Sequence, residues 1–350
     1  MCDCSESKKK EEIVWDGKVK NLVGERIYLD PALSTTFRIR HVSDNYIISK
    51  SSSNLHHFSL SKLQNDSIIY GYDFLRQGRG PKEMLIPTFE KNSTNGEYFF
   101  YDVNNGQGKI IGTNTNDIIG IYDENKWKEL DNIDAIKNVM GLFPLDADYS
   151  SFIALMMLGS PSDAMFYKIV KNSVIPLNFS FPKNELGEES IYARHIAYAG
   201  RLLKQPEEDR YVYFSNHNRY VHIFDFESDH IKTISEPYTR YPHYTSADGF
   251  NPRMPEEYYA LLCDVFVTKE YIYALMSEAT IKDIPSGTFN GWPLNYSNAV
   301  YIFDWKGNPI NKLMLDVHIG YLFVDTEHQY IYGITEYVDE QSAAVYKFKL

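Results

Sequence analysis

The sequence holds no run of about 18 apolar residues, so no helix of it is suited to cross a bilayer. Its longest apolar stretch, 152–158, is the size of a strand. Basic clusters are missing beyond Lys8, Lys9 and Lys10, and 47 acidic residues outnumber 35 basic ones for a formal charge of −12. Nucleic-acid binding rests on grouped cations that neutralise phosphates, and this chain lacks that footprint. Catalytic signatures are absent too. There is no His-Glu-x-x-His, no Gly-x-Ser-x-Gly, no Cys-x-x-Cys and no Gly-Lys-Ser/Thr phosphate loop. His56 and His57 alternate across a strand, His217 and His222 flank a turn, and Asp102 opens a loop without the distant Glu of a calcium site. No metal and no cofactor is expected.

Cysteine is scarce, and its three positions differ in meaning. Cys263 follows Ala260, Leu261 and Leu262 and reads as a small buried hydrophobe. Cys2 stands behind Met1 and before a polar segment with Lys8, Lys9, Lys10, Glu11 and Glu12. That arrangement looks like a mature bacterial lipoprotein in which Cys2 carries the lipid, although a weak soft-metal ligand or no role at all fits the same residues. Residues 1–12 have no apolar periodicity and read as a flexible tether.

What the chain does hold is β-forming material. Apolar residues make up 43% of it and aromatics 15%, enough for a core of half-buried strands. Val221, Ile223, Phe224, Asp225, Phe226, Ile231 and Ile234 return as Val300, Ile302, Phe303, Asp304, Trp305, Ile310 and Leu313 at a constant offset of 79. Each copy reads as a hairpin around a polar turn. A hairpin cannot bury its faces alone, so the repeat implies an array.

Aromatic or β-branched strands begin at Tyr46, Tyr98, Phe152, Tyr211, Tyr271 and Tyr330, with spacings of 52, 54, 59, 60 and 59 residues. An apolar strand precedes most of them and a hairpin follows, at 55–60, 109–119 and 165–177 as well as in the repeat pair. Four strands per unit make a propeller blade. The expected fold is therefore all-β: one domain over 13–350, a six-bladed β-propeller of four-stranded antiparallel blades. The sixth unit ends at Val345, Tyr346, Lys347 and Phe348 without a fourth strand, so a strand within 13–29 is expected to close it. Insertions are expected at about 238–262 and 278–298, with a short helix near Pro255 and another over 124–140 that places Trp127, Leu130, Ile133 or Ile136, and Met140 on one stripe.

Between the first hairpin and the second unit lies Gly78-x-Gly80-Pro81-x-Glu83. The two glycines permit positive φ, Pro81 fixes the exit and Glu83 accepts backbone N–H groups, so a structural turn is expected. This loop, at the head of the second of six units and behind Cys2, resembles the six-bladed propeller lipoproteins of Bacteroidetes, which are similar to NHL and TolB-type propellers. The resemblance implies a lipid-anchored protein of the bacterial envelope, periplasmic or at the outer-membrane surface, and supplies no catalytic residues.

For a ligand the long loops offer cations beside aromatic faces: Arg240, Tyr241, His243, Tyr244 and Arg253 in the first insertion. Trp292, Asn295 and Tyr296 in the second form a stacking platform with an amide, and Arg79 is a weaker candidate. The same aromatics could instead anchor their own loops. Asp225 and Asp304 recur in two units and are expected to stabilise turns. The function expected is binding, by a monomeric disc that presents loops to an envelope protein or an oligosaccharide. The alternative is a propeller hydrolase or lyase acting on glycans, for which two carboxylates about 5 to 9 Å apart in an axial pocket would speak.

Overall fold

The computed structural model describes residues 15–33, 38–43, 45–102, 109–130, 139–157, 164–171, 173–182, 184, 190–216, 219–227, 229–237, 239, 241, 243–246, 252–255, 262–280, 296–325, 327, 329–335 and 343–350. Their strands form six antiparallel blades around an axis, joined in chain order. The six innermost strands are Ile39–Ser43, Pro87–Lys91, Val139–Pro144, Gly200–Lys204, Leu262–Val267 and Tyr321–Val324. The second strand of each blade starts at or within one residue of the aromatic positions that repeat in the sequence, from Tyr46–Lys50 to Tyr330–Thr335. The 79-residue repeat extends to irregularities of the backbone. Blades 4 and 5 each carry a β-bulge at the equivalent step, Ile223/Phe224 and Ile302/Phe303.

The blades cohere because alternate residues of each strand meet the neighbouring sheet. Between blades 1 and 2, Phe58 stacks on Phe100 at 6.0 Å, with Phe89 and Trp127 around them. Between blades 3 and 4, Phe143 and Phe166 meet Tyr211 and Phe224, with Phe166 5.0 Å from Phe224 and Phe143 edge-on to Tyr211 at 6.1 Å. Aromatic pairs of this kind contribute roughly 0.5–1.5 kcal/mol each beyond the area they bury. Polar staples repeat as well. Lys168 of blade 3 reaches Asp229 in the last turn of blade 4 at 2.5 Å, and Lys347 of blade 6 reaches Asp66 of blade 1 at 2.8 Å.

Closure uses the start of the chain, as the unpaired sixth unit requires. Gly24–Leu29 pairs antiparallel with Ala344–Lys349 as the fourth strand of blade 6, and its last two residues run parallel to Ser67 and Ile68 of blade 1. The preceding Lys18–Leu22 adds a further strand, parallel to Pro309–Ile319 on the outside of blade 5. Trp15 packs edge-on against Tyr301 and Phe303 of the same blade, and the Gly24 N–H donates to Asp316 Oδ1 at 2.9 Å. One segment thus straps blades 5, 6 and 1 together.

Three expectations need correction. Within the described part of 124–140 the expected helix does not form: Lys128–Glu129 is the outer strand of blade 2 and Val139–Pro144 begins blade 3, while 131–138 lie outside the described residues. Trp127, expected on a helical stripe, is buried in the interblade core and donates its indole N–H to Ile121 O at 2.8 Å. The hairpin expected at 109–119 stops after Lys109–Gly112, and a 3-10 turn, Ile119–Tyr122, leads to the short outer strand. In the Gly78 loop, positive φ falls on Leu75 and Lys82 and on neither glycine. The glycines make room instead. A Cβ on Gly78 would stand 2.0 Å from Glu83 Oε2, which accepts the Gly80 N–H at 2.8 Å. Among the described residues one α-helix forms, Ile191–Ala197, capped by Ser190, whose hydroxyl accepts the Ala193 N–H. The helix expected near Pro255 falls largely on 256–261, outside the described residues, as do 1–12 with Cys2.

Candidate functional site

All six inner strands run the same way along the axis, which gives the disc two unlike faces. One carries the links between blades and between second and third strands, and therefore both insertions and the Gly78 loop. The other carries the tight turns that follow the inner strands. A cavity of about 460 Å³ lies on the axis, lined by the later residues of five inner strands and by turn residues such as Ser93, Gly96, Gln205 and Pro206. It belongs to the tight-turn side. Side-chain amides fix that rim by bonding to the next blade's turn: Asn92 to Asp146 O at 3.0 Å, Asn95 to Ala147 O at 2.8 Å, Gln205 to Lys269 O at 2.8 Å.

Its wall is apolar over much of its extent, with Phe143, Leu202, Val265 and Phe266. Among the described residues the charged lining side chains are Arg40, Lys91 and Lys204 against one carboxylate, Glu90. His41 also lines it, but burial and then Lys91 hold its imidazole down to about 3, so it is neutral near pH 7. Two cations are engaged: Lys204 pairs with Asp209 at 2.5 Å, and Lys91 sits 5.3 Å from the Tyr98 ring centroid. Deeper in, Arg201 pairs with Asp264, whose second oxygen accepts the Leu322 N–H at 2.9 Å. Burial pushes the Asp264 carboxyl up against these two partners.

Arg40 and Glu90 differ from the rest. Among the described residues neither side chain has a hydrogen-bond partner or an ion pair. Arg40 keeps contact with solvent although protein surrounds it. Burial and then the nearby Arg201 lower its pKa, and a guanidinium so perturbed still carries its charge. For Glu90 burial dominates and pushes its carboxyl up to about 8, with Arg40 offsetting only part of that. At pH 7 the site therefore presents a fixed cation and a neutral carboxylic acid on an apolar wall.

The described residues among those singled out from sequence lie on the opposite face. Tyr244 is fully buried with Phe181, Tyr198 and Tyr220 and belongs to the core, closed to any ligand. Its backbone is held by Asn184, whose amide donates to Tyr244 O at 2.7 Å. Tyr241 is exposed, but its hydroxyl donates to Glu236 and its ring lies 5.2 Å from Tyr220, so it anchors its own loop. Arg253 is exposed and pairs through its backbone with Thr245. His243 and Tyr296 are half-buried, Arg79 is exposed on the Gly78 loop, and Arg240, Trp292 and Asn295 fall outside the described residues.

The two recurring aspartates do different work. Asp304 accepts the N–H groups of Lys306 and Asn308, both at 2.8 Å, around Gly307 at φ +84°, and so stabilises its turn. Asp225 instead forms a two-pronged pair with Arg210 on the adjacent strand, at 2.7 and 3.3 Å. Sequence reasoning missed Arg40 and Glu90. Each is one of several polar residues in its inner strand, Arg40 beside His41 and Ser43, Glu90 beside Thr88 and Lys91, and only the packing of blades 1 and 2 around the axis brings them to one cavity.

Comparison with known proteins agrees with this architecture. A family model described as TolB-like 6-blade propeller-like matches residues 15–327. The solved structure of a DUF4221 family member from Bacteroides vulgatus aligns at TM-score 0.54 and 13% identity, over 94% of this chain and 97% of that one. A candidate exported protein from Bacteroides fragilis aligns at TM-score 0.50 and 8% identity, over 95% of this chain and 99% of that one. No curated protein matches the chain.

Proposed function

The chain belongs to the TolB-like six-bladed propeller family, and from that premise we propose that it is a binding protein of the bacterial envelope that holds a small ligand in its axial cavity. The observation that carries this reading is the cavity itself. At about 460 Å³ it falls within the range of small-molecule sites, and it presents an unpaired guanidinium and an unpaired carboxyl among the described residues. Binding is favoured over glycan hydrolysis because acid–base cleavage by paired carboxylates needs two of them, and among the described residues the lining provides Glu90 alone. Asp264 is committed to Arg201 and Leu322. The loop face, which carries both insertions, is left for an envelope protein or an oligosaccharide.

A thermal-shift panel of divalent metals, oligosaccharides, peptides and organic acids tests the site. A ligand at a hundred times its Kd adds about 2.7 kcal/mol, which moves the melting point by a few degrees. The double variant Ser43→Trp/Ser93→Trp, at two small lining positions, is expected to lose that shift. An equal shift in both proteins would move the site to the loops, and turnover of a bound compound would overturn the non-catalytic assignment. Envelope location draws on the family and on the Bacteroides fragilis neighbour, and Cys2 is assigned the lipid. Replacing Cys2 by Ser in the precursor should release the protein from membranes; continued retention would remove the anchor from the proposal.

A further inference from the structure

Resting on the axial cavity as the binding site, we propose that its ligand is an organic carboxylate with an apolar body, the carboxylate held by the Arg40 guanidinium with the Glu90 carboxyl beside it. Three observations converge on this class. The first is charge. The protein carries −12 overall, yet three cationic side chains and one carboxylic acid line the cavity. A low-dielectric pocket of sign opposite to the protein's net charge concentrates anions locally while the outer surface repels them.

The second is the distribution of partners. Lys204 is drawn to Asp209, Arg201 to Asp264 and Lys91 to the Tyr98 ring. Arg40 is the lining guanidinium with no carboxylate within ion-pair distance among the described residues. A guanidinium offers a planar fork of N–H donors that matches a carboxylate in a bidentate pair. Glu90, neutral below about pH 8, adds an O–H donor to the same anion where an ionised neighbour would repel it.

The third is the wall. Phe143, Phe266, Leu202 and Val265 offer no hydrogen-bonding side chains, so a sugar placed there would leave hydroxyls without partners. An aryl or alkyl body loses nothing in such a place. Inorganic phosphate would match the cation but occupy a small part of about 460 Å³.

The experiment is calorimetric titration of the full chain with 3-phenylpropionate and octanoate, against 3-phenylpropionamide, glucuronate and inorganic phosphate. The acids are expected to bind at least about tenfold more tightly than the amide, since hydrogen bonds to a charged acceptor are the stronger ones. Arg40→Gln should abolish that preference, and Arg40→Lys, which keeps the charge but loses the fork, should restore part of it. Affinity of the native protein for 3-phenylpropionate should fall above pH 8, where Glu90 ionises, and the fall should vanish in Glu90→Gln. Equal binding of acid and amide, lost in Ser43→Trp/Ser93→Trp, would overturn the carboxylate class and leave the cavity reading standing. Tighter binding of glucuronate or phosphate would overturn the apolar body. Absence of binding by every probe would overturn the proposal, and the broader panel on the same double variant then decides separately whether the cavity binds at all.

Discussion

The two faces of the disc show opposite relations between appearance and availability. The loop face is long, aromatic and dense in cations, yet Tyr244 is core and Tyr241 is occupied with Glu236 and Tyr220. The tight-turn face is made of short connections, yet it encloses the cavity where Arg40 and Glu90 stand without partners among the described residues. Aromatic residues in long loops are most often what holds the loops down. A ligand site needs polar groups that the fold has left unsatisfied, and the axis supplies them because six strands converge there without pairing to one another.

This contrast can be broken at several points. The largest effect is expected from the strap on which the whole ring depends. Deleting residues 15–29 removes the fourth strand of blade 6 and the added strand of blade 5, and should leave protein that is insoluble or melts without cooperativity. A soluble deletion variant with a sharp melting transition would show that the ring closes by other means. Next is Tyr244→Ala on the loop face. It should destabilise by about 3–5 kcal/mol, as removal of a buried ring does, while leaving affinity in the axial cavity unchanged. A large loss of ligand affinity at unchanged stability would return the site to that face.

The smallest effect concerns pH. The folded-state pKa of Glu90 is raised to about 8, so its contribution to stability is complete below the usual carboxylate pKa and is lost as pH rises through about 8. Relative to Glu90→Gln, the native protein should lose stability between pH 4.5 and 9, by on the order of 2 kcal/mol once solvent in the cavity screens the charge. Urea unfolding at the two ends of that range measures it. A difference that does not change with pH would mean that Glu90 is ionised and well hydrated.

The blades were legible because their signal is repeated: an aromatic residue at the start of each second strand, at near-constant spacing, survives local irregularity. Closure by an early strand was legible from the missing partner of 345–348. The added strand Lys18–Leu22 was not, since Leu22 is its one buried side chain and backbone pairing with Pro309–Ile319 holds the rest of it in place. Trp127 misled for a different reason. Its spacing from Leu130 and Met140 suits a helix, but an indole that packs on Phe100 from a turn leaves the same spacing. Arg40 and Glu90 lay in inner strands that mix polar and apolar residues, Arg40 with His41 and Ser43, Glu90 with Thr88 and Lys91, and nothing in that mixture marks which side chain faces the axis.

The strap also sets a schedule. Residues 24–27 pair with 345–348, so the first blade-forming segment of the chain waits for almost the last. Contacts of such long sequence separation form late because the loop between them must be closed first. During synthesis or translocation Gly24–Leu29 has no place to dock on blade 6 until the final strand has emerged, and the seam between blades 6 and 1 stays open through that interval. The finished ring is therefore locked by its two ends at the last step, and a chain truncated by even its final strand has nothing to lock.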